Sequence, residues 1–297
     1  SYPYGCSEQI ASKLSSIAIV KRGLNLKNVG DKFELKDIEF QGQKYTIDDV
    51  VEIGLARIYS NQTSAGGFTY YPGLEPNFYL TLHIVNTLED LRRAGYTINQ
   101  SVSDKAARYL YNQIISDYRL NQDKNLVILT AYALGRLPGF QAENDAMTRK
   151  IMEITNDKKF VREDISNISL VHLAIILTKG YSPSVKNEIF KTLENRISID
   201  GRGAFLSAYR NQWLWSYFET PAKDTALLLK ALVADKSNSP IMDKILRWIL
   251  RSRAKDGAWG SSNNTVSVID ALTDYLEWKR ETESEFDLSL NLDGKEK

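Results

Sequence analysis

Along nearly its whole length the chain places apolar residues three and four apart, the spacing that lines one face of an α-helix. Helices are expected near 7–22, 47–60, 76–94, 101–117, 124–137, 142–155, 163–179, 182–196, 206–217, 223–234, 238–253 and 265–280. End signals agree with these spans. Thr46 stands where the helix opening Ile47-Asp48-Asp49 needs a cap, Pro76 falls in a first turn, and Gly95, Gly139 and Gly180 follow helix ends. Strand-like alternation is confined to 32–46, which reads as a small hairpin or ordered loop. The expected class is all-α.

Two kinds of helix are present. "NFYLTLHIVNTL" (77–88) and "DTALLLKALV" (224–233) are apolar nearly all round and belong in an interior, whereas "SDKAARYLYNQIISDY" (103–118) keeps a polar face. Alternation of the two kinds predicts an inner ring of helices enclosed by an outer ring, in one domain spanning 1–297 with no long linker. A weak repeat fits this plan: "SAGGFTYYPG" (64–73), "DGRGAFLSAY" (200–209) and "KDGAWGSSNN" (255–264) each put glycine before an aromatic between helices. The glycine permits a tight turn, and the aromatic can plug the gap between neighbouring hairpins.

Composition narrows the function. The chain has 297 residues, 43% of them hydrophobic, enough to bury a substantial core. Its 38 Lys and Arg nearly cancel 37 Asp and Glu, so no global field draws it to nucleic acid or to an anionic membrane. No apolar run is long enough to span a bilayer, and no charged-then-apolar leader opens the sequence. With two histidines and one cysteine, widely spaced, no metal-ligand pattern forms, and no cofactor is expected. The carboxylates are dispersed, and there is no glycine-rich phosphate loop.

The single cysteine lies in "YPYGCSEQ" (2–9), three residues before Gln9, where a helix is expected to begin. Residues three apart share a helix face, so the Cys6 sulfur and the Gln9 carboxamide carbon can meet across one turn, and Gly5 leaves room beside them. Attack of sulfur on that carbon with loss of ammonia would join the two side chains in an internal thioester, an activated acyl group open to a passing amine or hydroxyl. The helix N-terminus favours the thiolate and the oxyanion involved. Spacing alone leaves open the plainer reading of an inert cysteine beside a solvent-facing glutamine. Glu8 reads as a helix-start carboxylate and not as a general base.

"YPYGCSEQ" resembles the thioester signature of the alpha-2-macroglobulin family, with Ser7 in its variable place. Further stretches extend the resemblance: "GGFTYYPGLEPNFYLTLHIVNTL" (66–88), "DGAWGSSNNTVSVIDALTDYLEW" (256–278), and "FDLSLNLDGK" (286–295), similar to the strand that leaves the thioester domain for its neighbour. The resemblance implies an α/α toroid of six helical hairpins whose last ten or so residues lead to another domain. It also implies a Cys6–Gln9 cross-link in the setting of Tyr4, Gly5, Glu8, Tyr70 and Tyr71. The implied role is a single-turnover protease inhibitor of bacterial type, periplasmic or at the cell surface. Its partners would be target proteases, captured through lysine after cleavage of a bait segment, and the other domains of a longer protein.

Complement-type relatives pass the acyl group to a histidine. Here His172 falls on a stripe with Ile165, Ile168 and Ile175 and reads as core, and the 116–125 loop has no histidine. His83, inside the apolar helix 77–88, is the one remaining candidate acyl acceptor, and the reading disfavours it. "NQWLWSYFET" (211–220) reads as core, or with Tyr70 and Tyr71 as a cover over the thioester. Two other classes compete. One is an α/α-toroid enzyme such as a cyclase, prenyltransferase or glycosidase, for which the chain lacks an Asp-rich motif; the other is a binding module without a reactive bond.

Overall fold

The structure, a computed structural model, describes residues 5–26, 38–40, 43–156, 165–207, 220–279, 291–292 and 295–296. Helices dominate: α1 (Ser7–Leu24), α2 (Ile47–Ser60), α3 (Phe78–Arg93), α4 (Gln100–Ser116), α5 (Tyr118–Gln122), α6 (Lys124–Leu134), α7 (Gln141–Asn156), α8 (Asn167–Leu177), α9 (Pro183–Asn195), α10 (Pro221–Ala234), α11 (Ile241–Arg251) and α12 (Ser262–Lys279). Three antiparallel two-stranded hairpins pair β1 (Ile38–Phe40) with β2 (Gln43–Tyr45), β3 (Ile197–Asp200) with β4 (Gly203–Leu206), and β5 (Asn291–Leu292) with β6 (Lys295–Glu296). The fold is all-α in class, with the hairpin expected in 32–46 present as β1 and β2.

Contacts between helices run in a circle. α1 packs on α3, α3 on α6, α6 on α8, α8 on α10 and α10 on α12, and α12 returns to α1. Outside this circle α2 lies on α1, α4 on α3, α7 on α6, α9 on α8 and α11 on α10. Two concentric layers with this connectivity are what the alternation of apolar and one-faced helices predicts. Burial agrees: α3 buries ten of its sixteen residues, while the outer α4 buries six of seventeen.

The circling helices run parallel. Ser12 and Ser15 of α1 meet His83 and Asp90 of α3, Asn125 and Tyr132 of α6 meet Ser166 and His172 at the start and middle of α8, and Thr220 and Lys230 meet Asn264 and Asp270 of α12. Their N-termini therefore gather at one end of the molecule. At the other end their negative dipole ends meet cations. Arg22, in the last turn of α1, pairs with Asp270, Asp274 and Glu277 of α12, and Lys230 of α10 pairs with the same two aspartates. Arg93 closes on Asp274, and Arg136 on Asp90 at 2.6 Å. These cations hold Asp270 and Asp274 below the usual carboxylate range although burial opposes it.

The three glycine-aromatic turns share a device. Phe68 is wholly buried and its N–H donates to Thr81 Oγ1 at 2.9 Å; the N–H of Leu206 donates to Thr225 Oγ1 at 3.0 Å, and that of Trp259 to Thr265 Oγ1 at 3.1 Å. Each bond ties a turn to a threonine near the start of the next inner helix. Phe205 stacks on Trp248 with ring centroids 4.9 Å apart, and Trp259 Nε1–H donates to the Ile249 carbonyl, so the aromatics close the gaps as expected.

Three local expectations need correction or limits. The second of these turns is not a simple link between helices, since 197–206 forms the β3–β4 hairpin. There Asp200 accepts from the N–H groups of Arg202 and Gly203, and Gly203, at φ +149°, lies so close to α11 that a Cβ would stand 2.3 Å from the Lys244 carbonyl oxygen. The loop expected over 116–125 contains α5, because Asp117 and Asp123 cap successive short turns. Of the helix expected over 206–217, Leu206 ends β4 instead, and 208–219, with Trp213 to Phe218, lie outside the described residues.

Candidate functional site

Cys6 is the N-cap of α1, with extended backbone (φ −68°, ψ 166°), and Gln9 is the third helical residue. A side chain at that position can reach back to the N-cap amide. Gln9 does so: the Cys6 N–H donates to Gln9 Oε1 at 3.3 Å. Cys6 is half-buried and Gln9 exposed, so the pair lies at the surface. Gly5 leaves room for this arrangement, because a Cβ there would stand 2.8 Å from Gln9 Oε1 and 3.1 Å from Gln9 Cβ.

A glutamine folded onto an N-cap is also a plain capping device, in which serine or threonine would serve better than cysteine. The chemistry of the chosen pair goes further. The Cys6 amide that holds Oε1 polarises the carboxamide carbonyl, and it is placed to stabilise negative charge on that oxygen if sulfur adds to the carbon.

Ser7 fixes the turn that carries the pair. Its N–H donates to the Tyr70 carbonyl at 3.1 Å, its hydroxyl donates to the Thr69 carbonyl at 2.7 Å, and the Asn61 side-chain amide donates to that hydroxyl at 2.8 Å. Ser7 is fully buried. This contact was missed in the sequence, although Ser7 shares the helical phase of Ile10, Ala11, Leu14 and Ala18, all buried, and that phase was the available signal.

Among the other candidates, Tyr70 touches α1 through its backbone, and its side chain is 38% exposed; Tyr71 is 56% exposed. Glu8, in the first turn, is exposed and accepts the Ser12 hydroxyl at 3.0 Å. Tyr4 lies outside the described residues. His83 packs against α1 with Nε2 3.1 Å from Ser12 Oγ. Burial lowers the His83 pKa, against the pull of Glu8 and Asp90. His172 is half-buried on α8: Nδ1–H donates to the Ile168 carbonyl at 2.7 Å, the ring packs 4.1 Å from Tyr132, and desolvation pushes its pKa down to about 3. Among the described residues no group of His, Cys, Asp and Glu is arranged to hold a metal.

The family model for the A-macroglobulin TED domain matches residues 1–275. The chain belongs to this family. A TED-domain chain of this kind is similar to the alpha-2-macroglobulin of Thermotoga maritima, 23% identical over 279 residues that make up 93% of this chain and 14% of that protein. It is similar also to the alpha-2-macroglobulin homolog of a Nostoc species, 21% identical over 84% of this chain and 13% of that protein. The chain thus spans about one seventh of the length of these curated relatives. Among solved structures, Salmonella alpha-2-macroglobulin reacted with methylamine superposes with a TM-score of 0.63 at 20% identity, covering 92% of this chain and 17% of that one. Native Escherichia coli alpha-2-macroglobulin, from domain MG7 to the C-terminus, gives 0.60 at 20% identity, covering 93% of this TED domain and 40% of that chain.

Proposed function

We propose that this TED domain forms an internal Cys6–Gln9 thioester and serves a longer protein as a covalent protease trap. Sulfur adds to the Gln9 carboxamide carbon, the C–N bond breaks, and the thiol proton leaves with nitrogen as ammonia. An amine then attacks the thioester, the C–S bond breaks, and the thiol is regenerated while the amine stays attached to residue 9. The observation that carries this reading is the folding of the Gln9 carboxamide onto the Cys6 amide in the space left by Gly5. Each molecule reacts once, so the protein is an inhibitor and not a turnover catalyst. No described helix is long and apolar enough to cross a membrane, and the reading places the protein in the periplasm or at the cell surface.

The amine is the expected acceptor, through lysine side chains of an attacking protease. His172 packs on Tyr132 and donates to the Ile168 carbonyl, and His83 is bonded through Nε2 to Ser12, so both imidazoles are engaged in contacts other than the Cys6–Gln9 pair. The test is mass spectrometry of the full-length protein before and after methylamine. The Gln9 peptide should lack one ammonia before treatment and carry methylamine afterwards, and Gln9→Ala should abolish labelling without loss of helix. Labelling that persisted in Gln9→Ala would refute the assignment. Transfer to glycerol that is lost in His83→Ala would make His83 an acyl acceptor instead.

A further inference from the structure

We propose that Ser7 is the positioning residue of the thioester, setting how readily Cys6 and Gln9 close on each other; this rests on the thioester reading above. Cys6 has extended backbone and joins the helix ladder only through its carbonyl, which accepts the Ile10 N–H at 3.1 Å, so residues on its C-terminal side must fix the turn more closely. Ser7 is hydrogen-bonded to one loop on all sides: its N–H donates to the Tyr70 carbonyl, its hydroxyl donates to the Thr69 carbonyl at 2.7 Å with the Tyr70 carbonyl 3.4 Å away, and the hydroxyl accepts from Asn61. That loop is itself rigidly tied, because Thr69 donates from both its N–H (3.1 Å) and its hydroxyl (3.3 Å) to the Asn61 carbonyl. The clasp is fully buried at Ser7, yet the side chains of its neighbours Glu8 and Gln9 are exposed. It therefore restrains the backbone between sulfur and carboxamide while leaving the reacting groups accessible, which is the condition for a high effective concentration of one at the other.

Loss of the Ser7 hydroxyl would leave the Asn61 amide and the Thr69 carbonyl unpaired, loosening the turn. In the full-length protein, Ser7→Ala should lower the fraction of folded molecules whose Gln9 peptide takes up methylamine by about fivefold. Asn61→Ala removes one bond of the clasp and should lower it by about twofold. Thr46→Ala serves as the control: it removes a helix cap from α2, where Thr46 accepts the Asp49 N–H, and should lower the melting temperature without altering labelling per folded molecule. Equal labelling in wild type, Ser7→Ala and Thr46→Ala would overturn the role of Ser7 alone. Should Ser7→Ala fail to fold, unchanged labelling in Asn61→Ala would overturn it. A wild-type protein with no labelling at Gln9 would overturn the thioester reading, and this inference with it.

Discussion

At its N-terminal end α1 is fastened by neutral hydrogen bonds from Ser7 to a loop, and the side chains of Cys6 and Gln9 remain within reach of solvent. At its C-terminal end, some 25 Å further along the helix, the Arg22 guanidinium is enclosed by Asp270, Asp274 and Glu277. Buried ions must stay paired or the fold loses several kcal/mol, so this second end is committed to holding the ring closed. Neutral bonds to a buried hydroxyl restrain the chain without fixing the charge of nearby groups, so under the proposed thioester chemistry the first end is free to change its covalent state. On that proposal one helix separates stability from reactivity along its length.

The strongest break in that division comes from Arg22→Met. It removes one of the cations that face Asp270 and Asp274, leaving them to Lys230 and Arg93, and should cost about 3 kcal/mol in urea unfolding, with methylamine uptake per folded molecule unchanged. A cost below ~1 kcal/mol would mean that α1 is held alike at both ends.

Acid separates the contributions next. The His172 pKa lies near 3 in the folded protein, below the ordinary value of 6.5, so its neutral form is favoured by folding. The stability it contributes is complete above about pH 6.5 and is lost as pH falls toward 3. His83 acts in the same direction. The aspartates at the charged end are lowered too, so their contribution holds above about pH 4 and is lost only below it. Urea midpoints measured down the pH scale should therefore decline in two windows, with a shallower decline above pH 4 in His172→Phe. A wild-type curve flat from pH 6.5 to 4 would contradict this order.

A smaller change tests the end that carries Cys6 and Gln9. Gly5→Ala pushes a Cβ toward Gln9 Oε1 and should slow labelling about tenfold, roughly 1.4 kcal/mol of barrier, with the melting temperature close to wild type. The backbone at Gly5 tolerates alanine, so an unchanged rate would show that the carboxamide finds another route to the sulfur.

Much of this was legible in the residues. Helix phase and end signals placed the inner and outer layers, since a helix apolar on every side has no stable place but the interior. The Cys6–Gln9 spacing was legible because one helical turn sets it. The β3–β4 hairpin was hidden because Ile197 to Leu206 is short, turns on Asp200 and two glycines, and is held by α11, about forty residues away in sequence. The Ser7 clasp was hidden for a related reason: its partners Asn61, Thr69 and Tyr70 lie more than fifty residues away, and a serine carries no mark of the carbonyl it will find. Phase could place Ser7 inward, but not what it meets.

The parallel course of the circling helices has a mechanical consequence. α1 starts at the end of the molecule that carries Cys6, whereas α12 finishes at the opposite end, beside the last turn of α1. A pull applied between the start of α1 and the finish of α12 therefore runs along their shared seam as shear, loading the Arg22 ion pairs together and not one after another. Such a seam resists tension better than one that peels.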